Sequence, residues 1–246
     1  MQLALLAAAT LAAATCFAPA GASAAADVTG SGHAVTEERA VSGFHGLAIS
    51  VPSEVDLRQG ASEGLALTAD DNVLPRIRTF VDAQGVLEVR FPRNVIVRPR
   101  TPIRISVHAK RIDSIALAGH VRLESGALRA DRLKVNLAGD AGIALPDLET
   151  DSLVVHTSGH SHVMAAGKAD ALDLGIAGSG EANLARLAAR RAAVRIAGSA
   201  EVAAWARERL EVRITGSGAV RYFGDPQVRK RIAGSGRVER LGDSPP

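Results

Sequence analysis

Two hundred and forty-six residues at 47% hydrophobic content bury a substantial core, but aromatics make up only 3%. A core of Ala, Val, Leu and Ile with almost no rings suits thin, stacked layers better than a thick sandwich. Twenty-nine basic against 26 acidic side chains leave +3, too little for nucleic-acid binding, which shows a strong basic stripe with interleaved aromatics.

The chain opens with an apolar run, Leu3 to Ala14, too short to span a bilayer. Ala22-Ser23-Ala24 follows as a small-x-small cleavage pattern. Although no Lys or Arg precedes the run, residues 1–24 read as a signal peptide cut near Ala24, and residues 25–34 as a flexible segment. The only cysteine, Cys16, lies inside this segment with Ala13 three residues before it, where a lipoprotein site wants Leu. The mature chain then carries no disulfide, thiol nucleophile or thiolate metal site. No later stretch is apolar enough for a membrane span, so the expected location is the periplasm or, after secretion, the cell surface.

Residues 35–110 alternate apolar and polar positions in Leu47–Val51, Val55–Arg58, Leu65–Leu67, Leu87–Phe91 and Ile103–Val107, each read as a strand. Gln59-Gly60, Asp70-Asp71-Asn72 and Gln84-Gly85 mark turns between them. This part reads as a β lead-in that caps the remainder of the chain. Arg90, Arg93, Arg98, Arg100, Arg104, Lys110 and Arg111 cluster here. They are a solvated, charge-studded loop on the plain reading and a site for an anionic envelope glycolipid on the sharper one.

From residue 111 to 241 one phrase repeats: an alternating strand, a small residue and a glycine. Its glycines are 119, 139, 159, 178, 198, 216 and 234, with steps of 20, 20, 19, 20, 18 and 18. Such a unit holds two or three short strands and cannot bury its own apolar face, so stacking must stabilise it. The expected fold is all-β: a right-handed parallel β-helix (a β-solenoid) with coils of about twenty residues, preceded by the β-strand lead-in cap. Glu181 to Ala193 and Ala203 to Glu208 favour helix by propensity. Because the repeat phase runs through both, they stay in the solenoid, with a helical turn allowed on its outside. Residues 242–246 read as a loose tail.

Arg39-Ala40-Val41-Ser42-Gly43-Phe44, Val55-Asp56-Leu57-Arg58-Gln59-Gly60, Gly178-Ser179-Gly180, Gly216-Ser217-Gly218, Val220–Pro226 and Ile232–Gly236 together resemble the putative auto-transporter adhesin, head GIN domain family. The likeness runs over roughly residues 36 to 240. It implies a single-stranded right-handed β-helix, a surface or periplasmic location and no established enzyme activity. Gly119-His120, Gly139-Asp140 and Gly159-His160 depart from the pattern, which has Ser after Gly, so those coils are candidates for specialisation.

Aligned on the glycines, the next residue forms a column: His120, Asp140, His160, Ser179, Ser199, Ser217 and Ser235. With His162 two residues on, imidazoles and a carboxylate fall within about 10 Å across two coils. That set suits weak Zn²⁺ or Ni²⁺ binding, against the plainer reading of a solvated polar ladder; no other cofactor is expected. The serines lack a systematically placed base, Gly-Ser-Gly lacks the lysine of a phosphate loop, and the calcium-solenoid aspartates are missing. A glycan-cleaving β-helix would need converging carboxylates and an aromatic platform. Asp140, Asp147 and Glu181 differ in phase, and Trp205 and Tyr222 are nearly the only candidate rings. The expected function is thus a non-catalytic adhesion, scaffold or binding module whose partner is an envelope polysaccharide or protein. The alternatives are a polysaccharide-binding or polysaccharide-processing β-helix, and a partner in envelope-stress signalling.

Overall fold

The structure, a computed structural model, describes residues 26–245; the signal peptide read over residues 1–24 lies outside the described residues. Among them the only helical element is a 3-10 turn, Leu74–Arg76, and the remaining elements are strands. In chain order these are β1 (Ala26–Thr29), β2 (Ala34–Arg39), β3 (Gly46–Ile49), β4 (Ser53–Gln59), β5 (Gly64–Asp70), β6 (Arg78–Val81), β7 (Val86–Arg90) and β8 (Val95–Arg98). They continue as β9 (Arg104–Ala109), β10 (Ser114–Ala118), β11 (Val121–Ser125), β12 (Ala127–Gly216), β13 (Ala219–Phe223), β14 (Gln227–Gly234) and β15 (Arg237–Gly242). β12 is one unbroken run of strand bent at its glycines, with buried and exposed residues alternating along it.

Alternation places every second side chain inside, and parallel pairing stacks those side chains into columns. In one ladder Leu87, Leu47, Ile115 and Val135 lie in register across β7, β3, β10 and β12. In a second, Ile105, Val55, Leu123 and Ile143 align across β9, β4, β11 and β12. All eight are buried. The pairing offset is 20 residues from Ile115 to Val135 and 18 from Leu210 to Val228, the spacing of the glycines.

The two stretches with helical propensity are strand throughout, without the helical turn allowed for them. Ala182, Leu184, Leu187, Ala189, Ala204 and Ala206 are buried at strand spacing. Burial in the stack overrides an intrinsic preference worth only tenths of a kcal/mol per residue.

The amino-terminal strands enter the same ladders out of chain order. β3 lies between β7 and β10, and β4 between β9 and β11. The sheet is mixed, because β2 pairs antiparallel to β5, β5 to β9, and β6 to β7. Those antiparallel strands cover the outer edge of the coil formed by β7 and β9. Within the segment expected to be flexible, Ala26–Thr29 forms β1 and pairs with Val95–Arg98 of β8. A covered carboxylate ties this region down: Asp70 accepts hydrogen bonds from the backbone N–H of Gly32 and Arg100 at 2.8 Å and of Thr101 at 3.3 Å. Desolvation pushes its pKa up, but the three N–H donors outweigh that and hold it below the usual carboxylate range. At the other end β14 pairs only with β12, and β15 only with β13.

Candidate functional site

Positive φ at the glycine bends is what builds the polar column. Gly119, Gly139, Gly159, Gly178, Gly198 and Gly216 all have φ between 85° and 133°, where a side chain costs conformational energy. From Gly139 onward each bend lies against the preceding glycine bend: a Cβ on Gly159 would sit 2.8 Å from the Gly139 carbonyl oxygen, whereas one on Gly119 would meet nothing within 4 Å. With no room for side chains at the bend, the residue after each glycine carries the surface chemistry.

The structure joins the specialised members of that column in pairs. His120 Nδ1–H donates to Asp140 Oδ2 at 2.8 Å, and both side chains are more than half exposed. This hydrogen bond is the main cause of a lowered Asp140 pKa. Desolvation opposes it, and the nearby His120, His160 and Arg122 assist it. His160 Nδ1 lies 3.1 Å from the Ser179 hydroxyl, and its ring meets that of His162 edge-on, centroids 5.1 Å apart. His160 and His162 therefore do share a side, as their spacing suggests. Among the described residues no three His, Cys, Asp or Glu side chains are grouped as metal ligands would be.

Asp140 and His162 also line a larger feature. An open groove of ≈ 1550 Å³ crosses the outer face of the second ladder, with Glu54, Arg104, Arg122 and Glu181 on its walls. Arg104, Glu54, Arg122 and Gly142 occupy one register row. Gly142 lacks a side chain and lies beside His162, which leaves the floor low at that point. Arg104 Nε reaches Glu54 Oε2 at 3.3 Å across adjacent strands. Met164, 54% exposed, adds to the apolar part of a lining that also holds charges of both signs. Arg104 stands on a strand read from the sequence; the missing signal was the neighbour order that brings β9, β4 and β11 side by side.

The remaining candidates are dispersed. Asp147 pairs with Arg129 at 3.3 Å, on a different face from the groove shared by Asp140 and Glu181. Trp205 lines a second depression with Arg190 and Arg207, and Tyr222 packs against the core. The basic cluster of residues 90–111 is largely neutralised: Arg90 pairs with Glu88, Arg98 with Asp27, Arg104 with Glu54 and Lys110 with Glu63. No helix among the described residues is long and apolar enough to cross a membrane.

The family model described as "Putative auto-transporter adhesin, head GIN domain" matches residues 43–226, the ladders and the groove together. The chain belongs to that family. Its head GIN domain is similar in fold to a putative adhesin from Bacteroides fragilis, at 19% identity and TM-score 0.79 over 87% of this chain and 100% of that one. A putative lipid binding protein from Parabacteroides distasonis is similar at 23% identity and TM-score 0.71 over 87% and 99% of the two chains. A putative adhesin from Parabacteroides merdae gives 22%, 0.64, 88% and 100%. No curated protein matches the chain.

Proposed function

We propose that the chain is a non-catalytic, exported envelope protein that binds an extended polysaccharide or protein along the outer face of its second ladder. The winding that carries this face is taken to be a right-handed parallel β-solenoid, with residues 35–110 as its cap and 111–241 as its repeat. The in-register columns and the offsets of 20 and 18 residues support that choice. The observation that carries the function is the groove. From Arg104 through Glu54, Arg122 and His162 to Glu181 it crosses successive strands, each adding about 4.8 Å. A site that long, open and lined by both charge signs suits a polymer better than an enclosed small molecule.

Incubation with a panel of uronate and neutral glycans tests this. Retention of a glycan with its length unchanged is the expected result, weakened by Arg122→Ser in the groove. Release of unsaturated or reducing ends would favour the polysaccharide-processing alternative, for which the placing of Asp140 and Glu181 on one groove is the supporting observation. Weak Zn²⁺ or Ni²⁺ binding by His120, Asp140, His160 and His162 is a separate proposal, supported by the His160–His162 ring contact.

A further inference from the structure

Charge is distributed unevenly along this chain. From Arg186 onward stand thirteen Lys and Arg against six Asp and Glu, a surplus of seven, whereas the whole chain carries only +3. The surplus culminates in the terminal coil. Arg229, Lys230, Arg231 and Arg237 are exposed and take no part in any ion pair among the described residues.

The same coil is apolar on its open end. Val228, Ile232 and Leu241 are 36%, 40% and 46% exposed. Val228 and Ile232 continue the columns of buried Leu210 and Ile214, but no strand among the described residues pairs beyond them. Among the described residues this surface is the outermost layer of the core on that side, edged by these cations, with Glu239 the unpaired acid beside them.

Two occupants are disfavoured. Between Val228 and Ile232, Lys230 takes the column position of buried Val212. A further strand laid on β14 would have to bury that ammonium, which is how natural edges resist strand addition. A second copy docked end to end would bring two cationic rims together. An anionic lipid surface meets neither obstacle, because lysine and arginine can reach phosphates while their stems and the aliphatic side chains enter the headgroup boundary. The opposite end of the stack differs. It is covered by antiparallel strands, and its exposed Val35, Phe80 and Ile96 stand on three separate strands, with Arg90 over the Phe80 ring.

We infer that the coil formed by β14 and β15 docks the protein end-on against an anionic lipid surface, Val228, Ile232 and Leu241 entering the interface and Arg229, Arg231 and Arg237 meeting lipid phosphates. This surface is separate from the groove and does not depend on what the groove binds.

Vesicle co-sedimentation with the whole protein tests it, using phosphatidylcholine alone and phosphatidylcholine mixed with phosphatidylglycerol. Binding is expected only to the mixed vesicles and should weaken as salt rises. Arg229→Gln/Arg231→Gln/Arg237→Gln should lower affinity about a hundredfold, at roughly one surface-lipid attraction per charge. Ile232→Ser/Leu241→Ser should lower it at unchanged charge. Arg93→Gln/Arg100→Gln/Arg111→Gln, which removes the same charge far from the end coil, should leave it intact. Circular dichroism confirms that each variant is folded. Equal loss in the two arginine triples would overturn the proposal in favour of diffuse charge attraction. Full binding by the serine double, with soluble polyglutamate displacing the vesicles, would overturn it in favour of an acidic protein partner. Absence of binding to mixed vesicles at low salt would end it outright.

Discussion

Replacing four of the bend glycines by alanine, one at a time, separates backbone strain from crowding between coils. Gly119, Gly139, Gly159 and Gly178 have φ of 85°, 86°, 96° and 124°, so each alanine carries a conformational cost of about 1–2 kcal/mol. Crowding then grades the series. An added Cβ meets nothing within 4 Å at Gly119, backbone of Gly119 at 3.2 Å from Gly139, the Gly139 oxygen at 2.8 Å from Gly159 and the Gly159 oxygen at 2.5 Å from Gly178. In the last three the obstructing atoms are backbone held in a ladder and cannot swing aside, and overpacking of that kind costs about 1–3 kcal/mol more. Gly119→Ala should therefore cost about 1–2 kcal/mol and Gly178→Ala about 2–5, toward the upper end, with the other two between. At about 2–4 °C per kcal/mol for a chain of this size, Tm should fall by roughly 5 °C at Gly119 and by 10 °C or more at Gly178. Thermal and urea unfolding followed by circular dichroism read this directly. Equal losses across the four variants, or a larger loss at Gly119 than at Gly178, would refute coil-on-coil contact as the reason these positions are glycine.

Asp70→Asn should destabilise the fold by about 3 kcal/mol, since the amide cannot accept from all three backbone N–H groups and presents a donor to one of them. Asp70 titrates lower when folded than when unfolded. Its contribution is therefore fully present above its unfolded pKa of about 3.9 and is lost as pH falls through the folded value. The variant's urea midpoints should lack that part of the acid slope, and an unchanged slope would contradict the assignment. Lys230→Val should give the terminal coil a continuous apolar column, so that size-exclusion elution shifts earlier as concentration rises; a concentration-independent profile would show that the lysine does not guard this edge. For the metal proposal, calorimetry with Zn²⁺ should give a small heat that is lost in His160→Ala, and identical traces from the two proteins would rule it out.

The repeat was legible because its cause is local. Where a bend must lie against the preceding one only glycine fits, so Gly139, Gly159, Gly178, Gly198, Gly216 and Gly234 mark the layers from β12 onward. The strand phases were equally plain, since Leu133, Val135 and Leu137 alternate with polar residues and all three are buried. Even Glu181–Ala193 could be assigned, because the repeat phase outweighed its helical composition. The order of the first coils was not legible. β3 and β10 are in register although about 68 residues separate Leu47 from Ile115, and no periodicity encodes a pairing made across intervening antiparallel strands. The groove was hidden for the same reason, because Arg104, Glu54 and Arg122 meet only once that order is known. The column of His120, Asp140 and His160 could be named from the glycine spacing. Its division into a His120–Asp140 pair and a His160–Ser179 pair depends on side-chain geometry that spacing alone does not fix.

The interleaving of β7, β3 and β10 also constrains how the chain can be assembled. A polypeptide emerging from its amino terminus leaves β3 and β4 unpaired until β7 and β9 arrive, and each keeps one bare flank until β10 and β11 follow, so their ladders are complete only at about residue 125. These early segments must close as one cooperative, long-range event, slow by the cost of joining distant pieces of chain. The strands of β12 and those after it can then add to a finished template in chain order, as the solenoid proposed above would have it. The seed of the structure, and the step most exposed to error during export, is therefore its most irregular part.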